Sequence, residues 1–97
     1  MGPGYSLEFD PDALKEWNQL DGSVKNEFRK VIEKRLVNPY VESARLTGEL
    51  HNCFKIKSKK SGFRIVYTVI DYRLVVVVIA IAKREDIKVY KKAKSRI

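Results

Sequence analysis

The sequence contains one cysteine and one histidine among 97 residues, which excludes two ways of stabilising a small protein. Cys53 has no partner for an internal disulfide, so the chain does not fit a disulfide-stapled secreted scaffold. The single His51 leaves no set of cysteines and histidines for a structural zinc ion. We therefore expect a reducing cytoplasm as the location, and neither a metal nor a cofactor.

Long apolar runs are absent as well. The longest one, over residues 74–82, is far shorter than the roughly 20 residues that cross a membrane as a helix. Residues 1–4 lack the basic and apolar regions of a signal peptide, and they are either native or a disordered, cloning-derived tail. Residues 1–97 are expected to form one small domain, in which only a shallow, open site fits.

Positive charge, in contrast, is abundant, with 20 Lys and Arg against 12 Asp and Glu. Basic and acidic residues nearly balance over residues 1–50. Residues 55–64 carry five basic and no acidic side chains, and residues 83–96 carry seven basic and two acidic ones. The net charge of +8 therefore resides in the second half of the chain. It favours a polyanionic partner over the alternative of a merely solubilising surface.

Helices are predicted in the first half of the chain. Alternation over residues 5–9 predicts a strand, which ends where Asp10 and Pro11 predict a helix start. A second helix follows the break at residues 21–23, because apolar residues recur at helical spacing until Pro39. The two helices form an αα-hairpin, whose apolar faces must cover a sheet.

Strands are predicted in the second half, over residues 54–58, 63–70 and 74–82, which are rich in β-branched and aromatic side chains. Short turns separate them, so they are expected to form an antiparallel meander. The last strand is apolar on both faces and should be central. Residues 84–96 return to a short helical pattern, and the order β-α-α-β-β-β-α predicts a small α+β domain.

A group of cations is expected at one end of this sheet. Lys55 and Lys57 lie two residues apart on a strand, so both side chains point to one face. Antiparallel pairing brings Arg64 next to Lys57, and like charges at that distance destabilise a sheet. The pairing therefore indicates an anion between them. Three further residues converge on the same end: Lys83, Arg84 and Tyr90.

Such a set of cations and one tyrosine suits a phosphodiester, and an RNA ligand could also be cut there. Attack of a ribose 2′-hydroxyl on its own phosphate needs a base, an acid and stabilisation of the transition-state charge, but no metal. Neighbouring cations favour the neutral form of a lysine, so Lys55 or Lys57 is a candidate base. Arg84 suits electrostatic stabilisation better than proton donation. His51 alone cannot support a two-histidine mechanism.

Six short segments match a known family in register. They are LEFD at 7–10, ALKEW at 13–17, FKIK at 54–57, SGFRIVY at 61–67, AKRE at 82–85 and VY at 89–90. On these segments the chain resembles the RelE-type toxins, ribosome-dependent messenger-RNA endonucleases of bacterial type II toxin–antitoxin pairs. The resemblance covers nearly the whole chain.

The resemblance implies cleavage of messenger RNA in the ribosomal A site, in the bacterial cytoplasm. Its implied catalytic residues are Lys55, Lys57, Arg64, Arg84 and Tyr90. Contacts with RNA are expected from Arg45, Lys59, Lys60, Lys83 and Lys88.

One departure concerns the loop glycine, Gly48, because the family often has an arginine directly before it. Thr47 stands there instead, and the nearest arginine is Arg45. The implied partners are the ribosome with its 16S ribosomal RNA, messenger RNA and a RelB-like antitoxin. An antitoxin helix laid over the sheet face, or displacing the helix at 84–96, would cover the site.

Two other functions fit the same architecture. A ParE-like gyrase poison has the fold but no need for the cationic set. A non-catalytic module that binds RNA or the ribosome would bind many RNAs in a strongly salt-dependent way without cutting them. Exposed stacking aromatics, typical of single-strand binders, are sparse, because Phe54, Phe63 and Tyr67 are expected to face the core.

Overall fold

The computed structural model describes residues 4–83 and 88–97. Its main elements follow the predicted order, which confirms the α+β class. They are β1 (Ser6–Phe9), α1 (Pro11–Asn18), α2 (Gly22–Val37), β2 (Cys53–Lys57), β3 (Phe63–Ile70), β4 (Val75–Lys83) and α3 (Lys88–Arg96). Residues 1–3 of the expected tail, and residues 84–87 of the expected last helix, lie outside the described part.

The four strands form one sheet in the order β1-β4-β3-β2. The last three strands are an antiparallel meander with β4 in the interior, as predicted. Strand β1 pairs with β4 in parallel, from Ser6 opposite Val75 to Phe9 opposite Val78, so the sheet is mixed. This pairing was not predicted, because the direction of β1 depends on how the helical hairpin returns the chain across the sheet.

Helix α1 starts as its sequence predicts. The Asp10 carboxylate accepts hydrogen bonds from the backbone N–H groups of Asp12 and Ala13, and Pro11 occupies the first turn. Helical spacing of Leu14 and Trp17 predicts that both face the core, but the buried stripe begins one position earlier than Leu14. Ala13 and Trp17 are buried, whereas Leu14 is 43% exposed.

Two separate apolar clusters cover the two faces of the sheet. Helices α1 and α2 pack on the first face, where Trp17, Phe28 and Ile32 meet strand residues such as Ile65 and Val78. The expected core positions Phe54 and Tyr67 are also buried on this face, with their rings stacked 5.4 Å apart, and Phe63 is half-buried beside them. This face is the main core of the protein.

Helix α3 covers part of the second face. Val89 and Ala93 are fully buried there against Val66, Ile79 and Ala80 of the sheet. Both Ile79 and Ala80 reach this face because β4 carries one extra residue at this point: Val66 pairs with Ala80 but Tyr67 pairs with Val78. Burial of one valine contributes about 1.5–3 kcal/mol, so the apolar contact of α3 is small.

Within residues 4–83 and 88–97, no helix is long and apolar enough to cross a membrane. Apolar clusters cover most of both faces of the sheet, but the hairpin end of the second face, beyond α3, stays open to solvent. Lys57, Lys59 and Lys60 are exposed there.

The cap of α1 allows a matched stability test. Asp21 precedes α2 but makes no capping hydrogen bond through its side chain. Replacing Asp10 by Ala should lower the free energy of unfolding by about 1 kcal/mol, the usual value of an N-cap. The change Asp21→Ala should cost much less, and Asp10→Asn should retain most of the stability because an asparagine also caps. Urea unfolding of the three variants measures this, and equal losses for Asp10→Ala and Asp21→Ala would contradict the capping role.

Candidate functional site

The β2–β3 hairpin places two of the predicted cations side by side. Lys57 lies directly opposite Arg64 in the antiparallel register. The next pair is joined by a hydrogen bond of 2.9 Å from the Ser58 N–H to the Phe63 carbonyl, so Lys57 and Arg64 form a non-hydrogen-bonded pair. In such a pair the Cα atoms are about 4.5 Å apart and the side chains are closest. Two side chains of like charge therefore lie opposite each other in a closely spaced pair of this ladder.

Lys55 lies two residues before Lys57 on β2, opposite Val66. Val66 belongs to the cluster under α3, and side chains directly opposite each other share a face. Lys55, Lys57 and Arg64 are therefore on the α3 face, as the spacing predicts. Lys57 is exposed, whereas Lys55 and Arg64 are half-buried.

Tyr90 joins this group from α3. Its hydroxyl accepts a hydrogen bond from an Nη of Arg64, and the guanidinium carbon lies 6.0 Å from the centre of the Tyr90 ring. The Nε of Arg64 is buried and has no hydrogen-bond partner among the described residues. Because this partner is a hydroxyl and not a carboxylate, the contact does not compensate the charge of Arg64, which can attract an anion.

Several acidic side chains are paired with cations elsewhere. Within the described residues, Glu42 holds Arg45, Glu8 holds Arg73, and Glu16 holds Arg96. In the same part of the chain, Lys55, Lys57 and Arg64 have no carboxylate within 4.0 Å. The hairpin cations thus form an anion-seeking site rather than an ion-pair network.

An open groove of about 290 Å³ lies along the hairpin. The turn that closes it contains Gly62 with a φ of 77°, a left-handed conformation that glycine adopts without strain. An open groove of this size suits an extended polyanion better than an enclosed small molecule. Its lining residues are Lys57, Ser58, Lys59, Gly62, Phe63 and Arg64.

The other predicted RNA contacts are more scattered. Lys59 and Lys60 are exposed at the tip of the hairpin. Lys83 is opposite Phe63 and has its Nζ 5.5 Å from the centre of that ring, which puts it on the opposite face from Lys57. Arg84 and the side chain of Lys88 lie outside the described part of the protein. Their functional roles stay predictions.

Arg45 is engaged in holding its own loop. It donates two hydrogen bonds of 2.8 Å to the Glu42 carboxylate and one of 2.6 Å to the His51 carbonyl, and it lies 4.6 Å over the Phe54 ring. These bonds from Arg45 lower the pKa of Glu42. Contact of Arg45 with RNA stays a prediction, and it would compete with these bonds. His51 is exposed and lies just before the start of β2, at the end of that strand opposite to Lys57.

Two positioning contacts were not predicted from the sequence. The Ser58 hydroxyl, on a residue only 4% exposed, donates a 2.6 Å hydrogen bond to the Glu27 carboxylate of α2 and accepts one from the Ser61 N–H. Arg35 of α2 donates to the Lys55 carbonyl at 3.2 Å and to the Tyr67 hydroxyl at 2.9 Å. A polar side chain on an amphipathic helix gives no signal of such partners, because they come from a distant segment.

Comparison with known proteins places this chain in a family. The profile of the ParE toxin of the type II toxin–antitoxin system parDE matches residues 7–88. The mRNA interferase toxin RelE of Escherichia coli K12 is 44% identical over 93 residues, which are 96% of this chain and 97% of that protein. This chain belongs to the RelE/ParE family of toxins. The resemblance inferred from the short segments is thereby confirmed.

Solved structures of relatives agree with this. Free E. coli toxin RelE, in a double arginine-to-alanine variant, is 42% identical with a TM-score of 0.89 and covers 97% of this chain and 98% of that one. The same variant in complex with a peptide of its antitoxin RelB has a TM-score of 0.80 at the same identity and coverage. The chain is thus a RelE-type toxin in sequence and in fold.

The like-charge pair predicts an unusual effect on stability. Replacing Lys57 by Gln should raise the free energy of unfolding by about 0.2–1 kcal/mol at low ionic strength, because cross-strand repulsion from Arg64 is removed. Added salt screens that repulsion, so the gain should shrink as salt is raised. Urea unfolding at two salt concentrations measures it, with Lys60→Gln at the exposed turn as the control. A loss of stability in Lys57→Gln would mean that the pair is not repulsive.

Proposed function

We propose that this toxin is an endoribonuclease that cuts messenger RNA in the ribosomal A site by attack of a ribose 2′-hydroxyl on the adjacent phosphate, and so inhibits translation. The observation that carries the proposal is the juxtaposition of Lys57, Arg64 and Tyr90 on one open sheet face. A protein-binding poison has no need to keep two repelling cations and a phenol together.

The proposed reaction forms a bond between the 2′-oxygen and phosphorus and breaks the bond from phosphorus to the 5′-oxygen. Lys57 or Lys55, in its neutral form, accepts the proton of the 2′-hydroxyl. Arg64 stabilises the charge that develops on the phosphate oxygens. Because the Tyr90 hydroxyl accepts from Arg64, its own proton remains available to the leaving 5′-oxygen. Arg84 is proposed as a further electrostatic contact to the phosphate.

The proposed dependence on the ribosome fits the composition of the site. The proposed base is a lysine, and the cations Lys57 and Arg64 supply charge stabilisation. The rate of the proposed reaction then depends strongly on correct orientation of the 2′-hydroxyl. An external scaffold that fixes messenger RNA in line can supply that orientation, which contributes strongly to rate.

A RelB-like antitoxin is the proposed regulatory partner. E. coli RelE has been solved in an intact complex with its antitoxin, and that chain is 43% identical to this one with a TM-score of 0.77. An antitoxin segment over the α3 face would cover Lys57 and Arg64 directly. Its chemistry should be acidic or amphipathic, because the cations of that face seek an anion.

Arg64 offers the sharpest test of the proposed reaction. Primer extension on a defined messenger RNA, with and without programmed ribosomes, should show cuts within the A-site codon only when ribosomes are present. Replacing Arg64 by Ala should slow cleavage by about 10²–10³-fold, the usual cost of one transition-state donor. The control is Arg73→Ala, which removes an exposed arginine paired with Glu8 and should leave the rate nearly unchanged.

Three outcomes would overturn the proposal. Equal rates for Arg64→Ala and the wild-type toxin would remove Arg64 from the chemistry. Inhibition of gyrase without any cut RNA would favour the ParE-like function. Salt-dependent RNA binding without cleavage would favour a binding module.

The base is tested by the pH dependence of cleavage. If Lys57 accepts the proton, the wild-type rate rises with pH as the neutral amine becomes more populated. In Lys57→Ala that rise should be lost, so the deficit of the variant should grow towards high pH. Single-turnover rates on programmed ribosomes between pH 6 and about 9 measure this. A constant ratio between the two proteins across the range would exclude Lys57 as the base and leave Lys55.

A further inference from the structure

A partly buried cluster of charges, outside the proposed site, joins α1 to α3. Glu16 of α1 accepts hydrogen bonds from Arg96 at 2.9 and 3.1 Å and from the Lys92 ammonium at 2.7 Å. The side chains of Glu16 and Arg96 are only 17% and 14% exposed. We call these three residues the α3 clasp. Exposed ion pairs of this type contribute little, but this one is largely shielded from water.

The clasp also completes the backbone hydrogen bonding of the central strand. Strand β1 pairs with β4 only as far as Val78. Beyond that point the Ile81 N–H donates to Glu16 at 3.1 Å, and the Ile79 carbonyl accepts from Arg96 at 2.9 Å. An unsatisfied buried backbone group is costly, so these two hydrogen bonds hold Glu16 and Arg96 at the edge of β4. Burial alone would raise the pKa of Glu16, but the bonds from Arg96 and Lys92 lower it overall.

Helix α3 depends on these contacts more than a typical helix would. It spans nine residues, and isolated helices of that length are marginal in water. Its fully buried side chains in the described structure are small, Val89 and Ala93. The contacts of Lys92 and Arg96 with Glu16 therefore add to a small apolar interface.

We propose that Glu16 is a positioning residue of the candidate active site, acting through α3. By holding the C-terminal half of the helix on the sheet, it keeps Tyr90 in contact with Arg64. Beyond Val78, β1 no longer covers the edge of β4, and Glu16 reaches α3 past this edge. Helix α1, which packs on the first face of the sheet, thereby controls the assembly of a site on the second face. The catalytic part of this inference rests on the proposed ribonuclease function.

Docking of α3 is tested first, without any activity assay. In Glu16→Gln, which keeps the shape but removes the charge, amide hydrogen exchange over residues 92–96 should accelerate at least about tenfold while α2 stays protected. The ring signal of Tyr90 in NMR spectra should shift at the same time. The control is Glu33→Gln, the same change on an exposed residue of α2, which should alter neither. Unchanged exchange and an unchanged Tyr90 signal in Glu16→Gln would overturn the proposal.

Kinetics then separate positioning from a general loss of stability. Single-turnover cleavage by Glu16→Gln should show a maximal rate at least about tenfold lower, with the half-saturating ribosome concentration changed less than about threefold. In the double variant Glu16→Gln/Tyr90→Phe, the loss of maximal rate should be clearly smaller than the two single losses combined, because both changes break the same contact. Fully additive effects would overturn the link to Tyr90. Faster α3 exchange in a toxin whose wild-type form cuts no RNA would overturn the proposed function but leave the clasp supported.

Discussion

The central strand β4 is apolar on both faces, and the rest of the structure is arranged to cover it. Val76, Val78 and Ile81 need the helical hairpin on one side, and Ile79 and Ala80 need α3 on the other. The first requirement is met by two amphipathic helices with large side chains. The second is met by one short, highly charged helix, so the second face is covered only in part. The uncovered end of that face is where the hairpin cations lie.

Charge placement at this end opposes stability and serves binding. A sheet designed only for stability would put an acid opposite Arg64, yet Lys57 lies there. Elsewhere in the described structure the same protein pairs its arginines readily, as in Arg45 with Glu42 and Arg96 with Glu16. A local conflict of this kind is expected at functional sites. The polyanion that relieves it in our proposal is the RNA backbone.

Rigid support keeps the conflicting charges in place. Glu27 of α2 fixes the buried Ser58 at the hairpin turn, and Arg35 of the same helix binds the edge carbonyl of Lys55. Burial raises the pKa of the Tyr67 hydroxyl, against the opposing effect of Arg35, so Tyr67 stays a neutral hydrogen-bonding partner there. The helical hairpin therefore stabilises one face of the sheet and also positions the cations that project from the other.

The sequence by itself determined the order of the four strands and three α-helices, the central place of β4 and the pairing of Lys57 with Arg64. These follow from local rules: apolar periodicity, the cap at Asp10, and the register that a short turn imposes on two strands. The alternation of side chains along a strand also predicted that Lys55 lies on the same face of the sheet as Lys57 and Arg64. The short segments carried the family assignment, since their residues and spacing are visible without a fold.

Tertiary structure alone decided the parallel pairing of β1, the face taken by Lys83, and the partners of Glu16, Glu27 and Arg35. The extra residue at Ile79 was equally invisible. Each of these depends on contacts between segments far apart in the chain, such as Glu16 with Arg96. A polar residue on an amphipathic helix has the same local pattern whether it meets water or a distant arginine, and packing decides which.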